Sequence, residues 1–177
     1  MKPMTDAEYK ALKEKDLADA QELVDLIQNS TSKYVIHKDG KRPVTDLKHM
    51  IESSAELFPN NVAFMQKFNR KEPYTEITYT EMLARVNGLG TAFINAGLKD
   101  KRIGVVGANC SQWAISYLAT VCGTGVVVPL DKELNANELK QLAIRSEISA
   151  VVCSKKYVKD FEEMKASGET NLELIIN

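Results

Sequence analysis

Two glycine-containing stretches of this chain could do phosphate chemistry. They read "GVVGAN" over Gly104–Asn109 and "CGTGVVVPLD" over Cys122–Asp131. A phosphate cradle needs a strand that runs into glycines and then into a helix, because the helix N-terminus supplies free amides and the positive end of its dipole. In the second stretch a predicted helix comes before the glycines and a predicted strand follows them. Gly123 and Gly125 are therefore expected to end a helix rather than to hold an anion.

The first stretch does not fit a dinucleotide-binding loop. Gly104 falls inside a predicted strand, where side-chain alternation buries it, and the loop after Gly107 has no further glycine for a close approach to pyrophosphate. The sequence also lacks the GxxxxGK[ST] pattern of a phosphate-binding loop. Neither stretch is assigned a phosphate.

Polar residues that follow the predicted strands are the remaining candidates. In an open parallel sheet, ligands bind beyond the carboxyl ends of the strands, particularly where the strand order reverses. Three segments qualify by this rule: Gly107–Ser111, Asp131–Asn135 and Ser154–Lys156.

Each of these segments also has a structural explanation, because such residues commonly begin helices. The expected caps are Asn109 with Gln112, Asn135 with Glu138, and Ser154 alone. The neighbouring charges of Asp131, Lys132 and Glu133 could form an acid–base trio, but a solvated turn is the preferred interpretation. No residue is therefore assigned a catalytic, cofactor-binding or metal-binding role.

The cysteines and histidines show no metal-ligand spacing. Cys110, Cys122 and Cys153 lie in or beside apolar segments without a CxxC pair, and His37 and His49 are isolated from them and from each other. We interpret the cysteines as reduced, buried thiols of a cytoplasmic protein.

Composition excludes several classes of function. The 177 residues are 44% hydrophobic and 27% charged with a net charge of -1, which is typical of a soluble globular chain. No basic cluster interleaved with aromatics supports nucleic-acid binding. The N-terminus lacks the apolar region of a secretory signal, and glycines and Pro129 interrupt the most apolar window, Ala114–Leu130. We expect no transmembrane segment.

The hydrophobic pattern divides the chain into an extension, residues 1–45, and an α/β region, residues 46–177. The extension is predicted to hold a helix over residues 6–28 and a hairpin that turns at Asp39–Gly40. A helix at residues 46–57, two short strands and a helix begun by a Thr78–Glu81 capping box follow. Inside this last helix, Gly88 and Gly90 are interpreted as packing glycines.

The segment Ile103–Leu130 carries no charged residue. It is predicted to form a strand, a helix and a strand of a β-α-β unit covered on both faces. Further apolar runs give strand starts near 103, 126, 150 and 172, with helices at Asn137–Glu147 and Tyr157–Lys165 between them. The even spacing predicts the α/β class: a partial doubly wound parallel sheet of flavodoxin-like βαβ units, with the N-terminal helix and hairpin appended.

Three stretches resemble a known family: "EITYTEM" at 76–82, "GANCSQWAISYLATVCGTGVVVPLDKELNANEL" at 107–139 and "AVVCS" at 150–154. They are similar to the opening part of adenylate-forming (AMP-binding) acyl-CoA synthetases, and most like bacterial long-chain fatty-acid CoA ligases. The family stretch "TYxEL" is matched by Thr78–Met82, with methionine for leucine, and "GAxxVPL" by Gly123–Leu130. The resemblance spans roughly residues 45 to 155.

The resemblance implies a parent enzyme that activates a long-chain fatty acid with ATP to acyl-AMP and transfers the acyl group to CoA. ATP, Mg and CoA are implied for the parent, whereas the family's phosphate loop and lid lysine find no match in these 177 residues. We therefore expect an inactive N-terminal fragment, an incomplete N-terminal α/β subdomain whose partner is the remainder of the enzyme. Gly123, Gly125 and Pro129 carry over only as structural residues.

Two other classes stay open at this point. One is a stand-alone flavodoxin-like module that binds a flavin or nucleotide at the carboxyl edge of its sheet. The other is a non-catalytic assembly domain, for which a homodimer is one form.

Overall fold

The computed structural model describes residues 14–15, 17–18, 21, 42–69 and 71–177, and the chain divides into two compact units, Met1–Thr45 and Asp46–Asn177. In the first unit, the described residues between 14 and 21 are helical. The predicted hairpin turn at Asp39–Gly40 lies outside the described residues. Within the described part of the chain, no helix combines the length and apolarity needed to cross a bilayer.

The second unit begins with a helix and a two-stranded hairpin. Helix α1, Leu47–Leu57, starts where the Asp46 carboxylate accepts a hydrogen bond from the His49 amide at 2.7 Å. Strands β1, Val62–Gln66, and β2, Thr75–Thr78, pair antiparallel. These elements confirm the predicted helix and strands.

Helix α2, Tyr79–Asn95, starts at the predicted capping box. The Thr78 hydroxyl accepts from the Glu81 amide, and the Glu81 carboxylate accepts from the Thr78 amide at 2.8 Å. Two orphan donors of the first turn are thereby satisfied. The chain leaves the helix through Gly97, which has a φ of +79°.

Four parallel strands form the main sheet in the order β4-β3-β5-β6. The strands are β3 Arg102–Val106, β4 Val126–Pro129, β5 Ala150–Cys153 and β6 Leu174–Ile176. The helices between them are α3 Ser111–Ala119, α4 Ala136–Ser146 and α5 Val158–Ala166. The predicted doubly wound parallel sheet is confirmed.

Alternating side chains of the central strands feed two cores on opposite faces of the sheet. Ile103 and its register partner Ala150 pack with residues of α1, α2 and α3. Val106 and its partner Cys153 pack with residues of α4 and α5. Successive strand residues point to opposite faces, so helices cover both sides of β3 and β5.

Strand β4 corrects the expectation that the whole uncharged segment is covered on both faces. Strand β3 is buried, but among the described strands β4 lies at an edge of the sheet, and Val126 is 55% exposed. The prediction that the segment is covered on both faces is therefore wrong for β4.

The predicted packing glycines of α2 have different outcomes. A Cβ added to Gly90 would lie 3.3 Å from both the Ala119 oxygen and the Thr124 hydroxyl, which confirms close packing there. Gly88 is exposed, and a Cβ added to it would meet no atom within 4 Å. The packing interpretation of Gly88 is wrong.

A π-helical turn, Thr120–Thr124, joins α3 to β4 and contains the predicted helix stop. Gly123 has a φ of +139°, which L side chains rarely adopt, so its role in ending the helix is confirmed. Gly125 is extended, with a φ of -175°. A Cβ on Gly125 would lie 2.2 Å from the Lys101 oxygen, so this glycine permits a close approach of two backbone segments.

Candidate functional site

The topology places a switch point between β3 and β5. From β3 the chain moves outward to β4, then crosses to the other side of β3 to form β5. Ligands of open α/β sheets bind in the crevice outside the carboxyl ends of the strands at such a point. The loops that follow these two strands begin at Gly107 and Ser154, which belong to two of the three segments selected from the sequence.

A cavity of about 260 Å³ lies at this switch point. Its described lining comes from β3, the loop after it, the start of α3, the end of β5 and the end of the chain: Val105, Val106, Gly107, Ala108, Cys110, Gln112, Trp113, Ser116, Val152, Cys153, Ser154 and Asn177. Sequence reasoning named the loops but missed Trp113, Ser116 and Asn177, because their approach depends on how α3 and the chain end pack.

Gly107 and Ser154 hold the two loops close together. A Cβ on Gly107 would lie 2.5 Å from the Ser154 hydroxyl oxygen, so a side chain at this position would force the Ser154 hydroxyl to rotate away. The Ser154 amide donates to the Val106 oxygen at 3.1 Å, and the Asn177 carboxamide donates to the Cys153 oxygen at 2.9 Å. These two hydrogen bonds fix the β5 side of the cavity.

The predicted Asn109 cap of α3 is wrong, because a residue distant in sequence does that work. Cys110 occupies the N-cap position and makes no side-chain cap hydrogen bond. The Gln66 carboxamide oxygen instead accepts from the Ser111 amide and from the Ser111 hydroxyl, both at 2.8 Å. Its nitrogen donates to the Gln112 side-chain oxygen at 3.3 Å. The hairpin thus holds the helix terminus that lines the cavity.

The other two predicted caps differ in outcome. Asn135 and Glu138 form the expected capping box at the start of α4, with both hydrogen bonds at 3.0 Å. Ser154 precedes a 3-10 turn, Lys155–Tyr157, but its side chain makes no cap hydrogen bond. Its backbone oxygen accepts from the Tyr157 amide at 2.9 Å, so the predicted side-chain cap is wrong.

The segment after β4 forms a solvated turn, which confirms the preferred interpretation of its charges. Asp131, Lys132 and Glu133 are all exposed, and the lysine and glutamate pair at 2.7 Å. This ion pair lowers the pKa of the Glu133 carboxyl and raises the pKa of Lys132. The Tyr157 hydroxyl donates to the Lys132 oxygen at 2.7 Å and links this turn to the loop after β5.

The side chains in the described lining of the switch-point cavity are uncharged at neutral pH. Cysteine is the only residue type there with an ionisable side chain, and burial raises the pKa of the Cys153 thiol to about 11. A thiol with this pKa stays protonated at neutral pH. Among the described residues, no group of three His, Cys, Asp or Glu side chains is placed to hold a metal ion.

The protein is therefore of the α/β class, with a doubly wound parallel sheet and a cavity at the switch point of that sheet. The family model described as AMP-binding enzyme matches residues 51–176. The chain belongs to this family, and its resemblance to acyl-CoA synthetases is confirmed.

Two curated relatives illustrate the likeness. The long chain acyl-CoA synthetase 1 of Arabidopsis thaliana is 28% identical over 138 residues, which cover 76% of this chain and 21% of the relative. The fatty acyl-CoA synthetase A of Dictyostelium discoideum is 32% identical over 96 residues, 54% of this chain and 14% of the relative. The chain thus spans about a fifth or less of the length of these relatives.

Solved structures share the fold. The Mycobacterium tuberculosis fatty acyl CoA synthetase superposes with a TM-score of 0.66 at 17% identity, over 74% of this chain and 26% of that one. A long-chain-fatty-acid-CoA ligase from Archaeoglobus fulgidus gives 0.65 at 20% identity, over 75% and 27%.

Proposed function

We propose that this chain is part of an enzyme that activates a long-chain fatty acid with ATP and transfers the acyl group to CoA. The observation that carries the proposal is the AMP-binding family match over residues 51–176, which coincides with the hairpin, the parallel sheet and its helices. Names of curated relatives, such as the Arabidopsis long chain acyl-CoA synthetase 1, support the fatty acid as the substrate class. Three free thiols suit a reducing compartment, and we assign the enzyme to the cytoplasm.

The proposed reaction has two steps. A carboxylate oxygen of the fatty acid attacks the α-phosphorus of ATP and expels pyrophosphate, and the CoA thiol then attacks the acyl carbon, expels AMP and releases its proton to solvent. The first step requires neutralisation of phosphate charge, which cationic side chains and Mg²⁺ supply in phosphoryl transfer. The described lining of the switch-point cavity contains no cationic side chain and no carboxylate side chain. These residues do not fit Mg–ATP, and no step is assigned to them.

We infer further that residues 1–177 alone do not form acyl-adenylate. The chain covers 21% of the Arabidopsis relative, and the described lining of its cavity offers the α-phosphate no cationic side chain. In the proposed enzyme this unit is a scaffold on which segments outside the 177 residues complete the site.

Fatty-acid-dependent exchange of labelled pyrophosphate into ATP tests both statements. The purified 177-residue chain should give no exchange with short, medium or long fatty acids, and the product of its complete natural reading frame should give exchange with long ones. Exchange by the chain alone would overturn the inactivity. Exchange by the complete product with aromatic or amino acids only would overturn the substrate class.

One observation favours a second candidate, a nucleotide- or flavin-binding module without catalysis. The cavity lies at the switch point, where doubly wound sheets bind such ligands. A nucleotide present at a hundred times its dissociation constant would stabilise the chain by about 2.7 kcal/mol. Thermal unfolding with and without ATP, AMP and FMN separates the candidates, because the scaffold is expected to show no such gain.

A further inference from the structure

The chemistry of the switch-point cavity points to a ligand of a different kind from ATP. Val105, Val106, Ala108 and Val152 supply an apolar lining, and Trp113 adds an aromatic ring. Trp113 stacks on Tyr117 with ring centroids 5.6 Å apart, which fixes one face of this wall. Such a lining favours contact with an apolar surface, and it does not compensate an anion for the hydration that the anion loses on binding.

Polar side chains in the lining are few and uncharged. The Ser154 hydroxyl and the carboxamides of Gln112 and Asn177 can donate or accept single hydrogen bonds, and the Ser116 hydroxyl already donates to the Gln112 backbone oxygen. Ligand pockets are commonly apolar with a small number of such orienting groups. A volume of about 260 Å³ exceeds the roughly 150 Å³ that suffices for benzene in an apolar engineered cavity. A fused ring pair or a short hydrocarbon segment is the matching size.

We propose that the cavity between the carboxyl ends of β3 and β5 binds an uncharged, mostly apolar group of this size, and that Gln66 positions its α3 wall. This inference does not depend on catalysis by the chain. Binding at this place uses apolar contacts with the Trp113 wall, and Ser154 orients the polar end of the ligand. The hydrocarbon part of an acyl compound and a separate aromatic molecule share the required chemistry.

Gln66 is a positioning residue because α3 has no local cap. Its carboxamide oxygen takes both donors of Ser111, and Ser111 is only 4% exposed. The Ser111 amide can only donate, so the oxygen of Gln66 must face it. Loss of this oxygen would leave the Ser111 amide without its acceptor at the start of the helix that carries Gln112 and Trp113, while the Ser111 hydroxyl could still donate to the Gln112 side-chain oxygen.

The neutral fluorophore N-phenyl-1-naphthylamine is the probe. Trp113 is the only tryptophan of the chain, so energy transfer from tryptophan to the probe reports binding near the α3 wall. We expect saturable transfer with one site per chain. Non-saturable partitioning, or saturation without energy transfer, would overturn the proposal.

Two alanine-to-leucine variants locate the site. Ala108 is exposed and lines the cavity, so Ala108→Leu should fold and should weaken probe binding at least about tenfold, since the added side chain displaces the buried contacts of the ligand. Ala84, exposed on α2, is absent from the lining, so Ala84→Leu should bind as the parent chain does. Equal affinities of the two variants would place the probe elsewhere.

Gln66→Ala and Gln66→Glu test the positioning role. The glutamate keeps an acceptor for both Ser111 donors, whereas the alanine removes the acceptor of the Ser111 amide and leaves the hydroxyl only the Gln112 side-chain oxygen. We expect Gln66→Ala to shift the Trp113 emission and to weaken probe binding severalfold, and Gln66→Glu to restore both. A merely structural hydrogen bond would lower thermal stability in the alanine variant and leave probe affinity in the folded protein unchanged.

Displacement distinguishes the two sources of the ligand. Decanol presents an uncharged hydrocarbon chain, and naphthalene presents fused rings without a chain. Displacement by decanol alone assigns the site to acyl compounds, and displacement by naphthalene alone assigns it to aromatic molecules. If neither compound displaces the probe, the proposed ligand chemistry is wrong.

Discussion

Alanine substitution is expected to have opposite effects on stability at Gly125 and Gly88. Gly125→Ala would place a Cβ 2.2 Å from the Lys101 oxygen, so the backbone must move where β4 begins, and we expect unfolding free energy to fall by about 2 to 3 kcal/mol or more. Gly88→Ala meets no atom and adds helix propensity, so stability should rise by about 1 kcal/mol. Urea titrations of both variants measure the two changes. Similar losses in both would contradict the packing described for α2 and β4.

Cys153 gives the chain a stability that depends on alkaline pH. Burial raises the pKa of its thiol from 9.0 to about 11, so the folded state holds this proton more tightly than the unfolded state does. The resulting stability is fully present below pH 9 and is lost as pH rises toward 11, by on the order of 2 kcal/mol.

Cys153→Ala is the control for this titration, because lysines and tyrosines also lose protons in the same range. The stability difference between the parent chain and the variant should shrink between pH 8 and pH 10.5, in urea titrations at each pH. A constant difference would show that the thiol is hydrated in the folded chain.

Two asparagines test how the helices begin. Asn135 closes a capping box on α4, so Asn135→Ala should lower stability by about 1 kcal/mol. Asn109 was an equally good candidate by sequence, but Cys110 is the N-cap of α3 and Gln66 supplies the acceptor. Asn109→Ala should therefore leave the urea midpoint unchanged. If Asn109→Ala lowered stability as much as Asn135→Ala does, Asn109 would be the cap of α3 after all.

The different outcomes for these caps show what local patterns can predict. Thr78–Glu81 and Asn135–Glu138 bring donor and acceptor within three residues, so helix formation alone completes each capping box. Gln66 and Ser111 are 45 residues apart and meet only because the hairpin packs beside α3. No periodicity or spacing marks Gln66, so its role at the start of α3 could be found only from the structure.

The strand positions of the main sheet could be predicted from the sequence, but the strand order could not. Evenly spaced apolar runs predicted strands near 103, 126, 150 and 172, and the structure has parallel strands starting at 102, 126, 150 and 174. The apolar runs do not predict which strands are neighbours in the sheet, because that order depends on the path of the long crossover connections. The uncharged β4 therefore looked as central as β3, although it lies at an edge.

Strand position sets the expected order of amide hydrogen exchange. Strands β3 and β5 are paired on both sides and packed on both faces, and Ile103, Ala150 and Val151 have no exposed surface. Their amides should exchange only when the whole unit unfolds, because no smaller opening exposes them. Amides of Val126–Val128 in β4 should exchange earlier, since this strand is paired on one side within the described sheet.

The same measurement bears on assembly. If β4 exchanges as slowly as β3, another surface covers that edge in solution, because an open edge strand offers its backbone groups to a further chain. Sedimentation at several concentrations then shows whether a second copy of the chain provides this cover. If the chain dimerises, the exchange protection of β4 rises with concentration, whereas cover from within the chain gives protection that does not depend on concentration. Early exchange of β4 at every concentration is the result expected for an edge strand that no further surface covers.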